Sequence, residues 1–96
     1  MHVGACVLTL HLPACQSLKD KRQVVRSLTE RLRRQFNVAV AEVEDNDLWQ
    51  TAVLGLAVVS NEAGHAERQL DRIIEAIEKS RLDAEVVDRQ IDVMSL

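Results

Sequence analysis

Residues 17–36, SLKDKRQVVRSLTERLRRQF, decide how the rest of the chain is read. Val24, Val25, Leu28, Leu32 and Phe36 recur at helical spacing, with Leu18 ahead of them, so one stripe of this stretch is built to be buried. Ser17 followed by Asp20 predicts a capping box at its start. The same wheel puts Lys19, Arg22, Arg26 and Arg33 on one flank of the polar face. Their spacings of three, four and seven residues stack them into a cationic row. At about 1.5 Å per residue the row runs roughly 21 Å. Lys21 falls toward the apolar side and Arg31 on the far flank, so neither belongs to it. A helix this amphipathic needs a surface to cover.

The flanking segments supply that surface. Before it, residues 1–12 alternate with period two, Cys6, Leu8, Leu10 and Leu12 on one side and Val3, Ala5, Val7, Thr9 and His11 on the other. Both sides are largely apolar, which predicts a central strand ended by Pro13. After it, NVAVAEVEDN from Asn37 reads as a second strand whose alternation changes phase near Glu42, the mark of a bulge or an exposed end. Residues 44–47 read as a turn. Residues 48–60 form a third strand, again apolar on both sides, with Trp49 expected as an anchor at the edge of the core. Asn61 is the expected N-cap of a second helix over residues 62–81, striped with Ala66, Leu70, Ile73, Ile74 and Ile77 and carrying a Glu75–Lys79 pair. A last strand over residues 84–94 puts Val87, Ile91 and Val93 on one face. The order strand–helix–strand–strand–helix–strand predicts an α+β fold of the ferredoxin-like split βαβ kind. Both helices then cover one face of a four-stranded antiparallel sheet, the face of Leu8, Leu10, Leu54 and Leu56. Right-handed crossovers place the first and third strands in the centre.

At 96 residues the chain is read as a single domain, residues 1–96. The net charge of -3 hides an asymmetry: residues 17–36 hold seven Lys/Arg against two acids, leaving five bases against thirteen acids elsewhere. Such polarity points to an anionic partner or to self-complementary packing. Residues 1–12 lack the basic start of a signal peptide, and no apolar run reaches a membrane span. No membrane contact is expected. Cys6 and Cys15 are expected as free thiols of a reducing cytoplasm.

The segments LHLPACQSLKDKR, RSLTERLRRQFNVAVAEV, DLWQTAVLGLAVVSN and HAE resemble the YlxP-like family, a small bacterial domain of unknown function. The resemblance covers nearly the whole chain. It implies the ferredoxin-like fold and a cytoplasmic bacterial protein encoded among genes for transcription and translation factors. That neighbourhood implies work near RNA or the ribosome. It implies no catalytic residues, and Cys6, Cys15 and Gly64 stand outside the family's pattern.

Two surfaces are candidates for function. The first is the row Lys19, Arg22, Arg26 and Arg33, which suits phosphates of RNA or a ribosomal surface. The bland reading is a solvated helix face. RNA-recognition modules of this fold stack bases on aromatics of the central strands. Here those positions carry Val3, Ala5, Val7, Val53, Gly55, Ala57 and Val59, so RNA contact through the helix would read shape and charge. The second surface is that same sheet face, whose Val3, Val7, Val53 and Val59 predict a homo-oligomer interface, with Gly55 allowing close approach. No cofactor or metal is expected: of His2, His11, His65, Cys6 and Cys15, His11 and Cys15 are four apart but have Pro13 between them, and no second pair has ligand spacing. Cys15 lacks a base and an orienting group, and no Gly-rich phosphate loop is present, so the chain is read as non-enzymatic. Cys15→Ser is expected to be nearly silent, since the residue lies in a connection.

Overall fold

The structure is a computed structural model that describes residues 1–45, 47–80 and 83–96. Strand β1 spans His2–His11, helix α1 Leu18–Gln35, β2 Ala39–Glu44, β3 Thr51–Ser60, α2 Ala63–Glu78 and β4 Glu85–Ser95. The strands form one antiparallel sheet in the order β2-β3-β1-β4, with the two strands that are apolar on both faces at its centre. This is the α+β, ferredoxin-like arrangement expected from the order of periodicities. In the register, Cys6 stands opposite Leu56, Leu8 opposite Leu54, and Leu10 opposite Ala52. Those positions face the helices. With Leu28 and Leu32 of α1 and Leu70, Ile73, Ile74 and Ile77 of α2 they make one core. Each fully buried Leu or Ile contributes about 1.5–3 kcal/mol against the entropy of ordering it.

Gly4 sets how closely α2 approaches. A Cβ there would stand 3.1 Å from Leu70 Cδ1 and from Val58 Cγ2, and 3.4 Å from the Cβ of Ala66. The helix therefore packs down on β1 where the strand has no side chain. Gly4→Val is expected to cost about 2–3 kcal/mol by overpacking. A urea titration checks it; an unchanged midpoint would mean that α2 has room to spare.

Several boundaries differ from the sequence reading, each for a local reason. β3 begins at Thr51, not Leu48, because residues 47–50 belong to the turn. The N-cap of α2 is Glu62, and no side chain caps it. Asn61 lies one residue too early, and the Glu62 amide donates instead to Ser60 Oγ at 3.1 Å. The helix ends at Glu78; the expected end at Arg81 lies outside the described residues. In β4 a bulge sits opposite Thr9 and Leu10 and shifts the phase. Val86 therefore takes the core-side place opposite Leu10, and Val87 is 57% exposed. The bulge expected near Glu42 is present, between Glu42 and Glu44.

Candidate functional site

The site begins with what fixes the rotation of α1. At its start Ser17 Oγ accepts from the Asp20 amide at 3.0 Å. Asp20 Oδ2 accepts from the Gln16 amide at 2.9 Å, one residue before the position that closes a capping box. One turn in, Lys21 is 1% exposed. Its ammonium donates to the carbonyls of Asp45 at 2.8 Å and Thr51 at 3.2 Å and lies 2.8 Å from Glu42 Oε2. That carboxylate oxygen is buried with no aligned hydrogen-bond donor, so charge alone holds it. Asp45 takes a left-handed φ of 56°, and its carbonyl also accepts from the Leu48 amide at 3.0 Å. Gln50 Nε2 completes the junction by donating to the carbonyls of Cys15 at 3.1 Å and Pro13 at 3.3 Å. The turn before β3 is thereby tied to the start of α1.

With Lys21 turned inward, Lys19, Arg22 and Arg26 stand exposed on the flank of α1 that lies along the edge strand β2. Arg33 shows which side this is: its Nη2 donates to the Val40 carbonyl of β2 at 2.9 Å. The structure therefore splits the predicted row. Arg33 is engaged in holding the edge strand, whereas Lys19, Arg22 and Arg26 meet no carboxylate among the described residues. The bases that do are Lys21 with Glu42, Arg34 with Glu30 at 3.8 Å, Lys79 with Glu75 at 2.6 Å and Arg89 with Glu78 at 3.3 Å. Arg31, Arg68 and Arg72 are also exposed and meet no carboxylate among the described residues, but Arg31 lies on the far flank as expected and the other two stand on α2.

The sheet face away from the helices is open over part of its area among the described residues. Val7 is 38% exposed and Val59 60% exposed, and Val3 is partly exposed. Val53 is not available to a partner, being only 3% exposed. Gly55 is only partly open, because the chain's own Val43 leans over it, its Cγ1 2.9 Å from where a Cβ at Gly55 would stand. Sequence reasoning missed this cover; its only trace was the phase change near Glu42, which turns Val43 to the open side. Trp49 is no core anchor. It and Leu48 are each 51% exposed at the end of the turn, outside the sheet.

Neither thiol is presented at the surface. Cys6 and Cys15 are both free and buried. Burial raises the Cys6 thiol, opposed in part by Arg89 and by a backbone hydrogen bond from Gln90. Burial, aided by Asp20 and Asp83 and opposed by Lys21, raises that of Cys15. A raised thiol stays protonated at neutral pH, and the thiol is a far poorer nucleophile than the thiolate. Iodoacetamide at pH 8 is expected to leave both residues largely unmodified in the folded protein and to alkylate both in urea. Rapid labelling of Cys15 in the native state would contradict this. The silent Cys15→Ser replacement expected of a residue in a connection is also revised: Cys15 is 3% exposed, and a hydroxyl there is disfavoured as it is at Cys6. His11 Nδ1 lies 3.1 Å from the Gln50 carbonyl, so this ring nitrogen is engaged away from Cys15. Among the described residues no cluster of His, Cys, Asp and Glu is placed to hold a metal ion, and no helix is long and apolar enough to cross a membrane.

The family model for a protein of unknown function, DUF503, matches residues 3–91 of this chain. The chain belongs to the DUF503 family. This DUF503 domain is 36% identical over 62 residues to the uncharacterized protein YlxP of Bacillus subtilis (strain 168), covering 65% of this chain and 67% of that one. Among solved structures it is similar to the de novo designed protein Foldit4, with a TM-score of 0.53 at 15% identity over 100% of this chain and 99% of that one. A likeness at that identity shows the fold alone. The DUF503 description names no activity, so function has to be argued from the surfaces described above.

Proposed function

We propose that this domain is a non-enzymatic accessory protein that associates with RNA or with the RNA surface of the ribosome through the outer flank of α1. One observation carries the reading: Lys19, Arg22 and Arg26 stand exposed in a row with no carboxylate partner among the described residues, whereas Lys21, Arg34, Lys79 and Arg89 are each within ion-pair distance of one. Unpaired cations on a rigid helix suit a phosphate backbone, where each neutralised phosphate releases counterions. The central strands hold no Phe, Tyr or Trp for base stacking, so binding by this flank is charge-driven and insensitive to sequence. The gene neighbourhood implied by the family resemblance supports an RNA partner of the translation machinery.

The test is titration of a labelled ribosomal RNA fragment at several salt concentrations, with sedimentation of the protein alongside ribosomes. Salt-sensitive binding and co-sedimentation lost at high salt are expected. The alternative is a homo-oligomeric interaction module with no nucleic-acid contact, favoured by the exposure of Val7 and Val59 on the open sheet face. It requires the opposite outcome: no RNA affinity, and a mass by light scattering above that of one chain.

A further inference from the structure

We propose that the open face of the sheet is a docking groove for an amphipathic helix with cationic flanks, carried by a partner protein. The proposal goes beyond RNA association and does not depend on it. The face holds a trough of about 490 Å³, floored by Ala5, Ala39 and Ala57 and walled by Val43 on β2 and by Gln90 and Asp92 on β4. Its walls stand on the two outer strands, three strand spacings or about 14 Å apart. An α-helix with its side chains is about 10–12 Å across. The small floor residues let such a helix settle close to the sheet, and Val7 and Val59 extend the apolar surface along it. The mode is that of a helix laying its apolar stripe into a groove.

Charge selects the occupant. The register puts Glu44 beside Val53, Asp88 beside Thr9, Asp92 beside Ala5 and Glu85 beside His11, all on this face. No Lys or Arg in the four strands shares it. A helix whose Lys or Arg residues flank a Leu-rich stripe would place cations over these carboxylates. A second copy of the chain fits less well. With a two-fold axis along the strands, Asp88 of one copy lies over Glu44 of the other. With the axis across them, the two β4 strands oppose Asp88 and Asp92 to their counterparts. Either arrangement sets like charges together.

Calorimetric titration with a synthetic leucine–lysine peptide of four helical turns tests this. Micromolar binding is expected. Asp88→Asn with Asp92→Asn should weaken it about tenfold, and Ala57→Arg should abolish it by filling and charging the trough. Ala41→Arg, at an exposed position on β2 that also lines the trough, serves the same purpose if Ala57→Arg disturbs folding. Equal binding of a leucine–glutamate twin, or binding unmoved by the double Asn variant, would overturn the proposal. So would a dimer in light scattering that Ala41→Arg dissociates, since a second copy would then own the face.

Discussion

Replacing Lys21 by Ala is expected to lower the melting temperature by about 15 °C, from a loss of about 3 kcal/mol at about 4–8 °C per kcal/mol for a domain of this size. The side chain is 1% exposed, and its ammonium serves the Asp45 and Thr51 carbonyls and the Glu42 carboxylate together. Truncation removes the donor from both carbonyls and the counter-charge from the carboxylate at once. A buried carboxylate left without its counter-charge costs far more than the pair contributes, because the charge has already been taken out of water. The Glu42 side chain is 18% exposed, so water recovers part of that cost, which places the loss at the low end of the range for broken buried pairs. The companion variant separates charge from packing. Lys21→Met with Glu42→Leu removes both charges and keeps the volume, and is expected to recover much of the loss, leaving the two carbonyls as the residual cost. Thermal melts followed by circular dichroism decide the matter. A drop of only a few degrees in Lys21→Ala would mean that the turn before β3 is held by Gln50 and not by this lysine.

The triple replacement Lys19→Glu, Arg22→Glu and Arg26→Glu is expected to weaken RNA binding at least about 100-fold in moderate salt and to reduce the salt slope by about 2–3, about 0.9 for each phosphate that is no longer neutralised. The same protein should melt within a few degrees of the parent. All three positions are exposed, none donates a hydrogen bond to the rest of the chain among the described residues, and Glu is as good a helix former as Lys or Arg. Arg33 is left in place deliberately. Its hydrogen bond to the Val40 carbonyl holds the edge strand, so Arg33→Glu would set a carboxylate against a carbonyl and confuse a binding effect with a folding one. RNA affinity equal to that of the parent would remove the flank of α1 as the binding surface. Loss of affinity without any change in salt slope would mean that the phosphates are met elsewhere.

The architecture was legible because both of its periods are strong. Leu28 and Leu32 at a helical interval, and Leu54, Leu56 and Val58 at a strand interval, leave few alternatives for which side is buried. Two-sided apolar strands belong in the middle of a sheet, and β1 and β3 are there. What misled was local chemistry at element ends. Trp49 and Leu48 are apolar and adjoin a strand, so composition alone placed them in it, but the turn carrying the left-handed Asp45 leaves them outside. In β4 Val86 and Val87 are neighbours, and which of them faces the core is set by one extra residue in the ladder. Nothing in the strand's own pattern announces that shift.

The sequence by itself determined the periods, and through them the order of elements, the buried stripe of α1, the inward tilt of Lys21 and the charge row on the outer flank. These are properties of residues close together along the chain. Only the tertiary structure decided which of the row's cations are free, because Arg33 finds its acceptor on a strand, and what the inward Lys21 meets, because its partners lie across a turn. It also decided what is open on the far side of the sheet. Val53 and Gly55 look like surface in a period-two pattern, yet Val53 is already buried and Val43 leans across Gly55 from the bulge in β2. Ion pairing and exposure are sums over neighbours distant in sequence, and a one-dimensional pattern carries no record of which neighbours arrive.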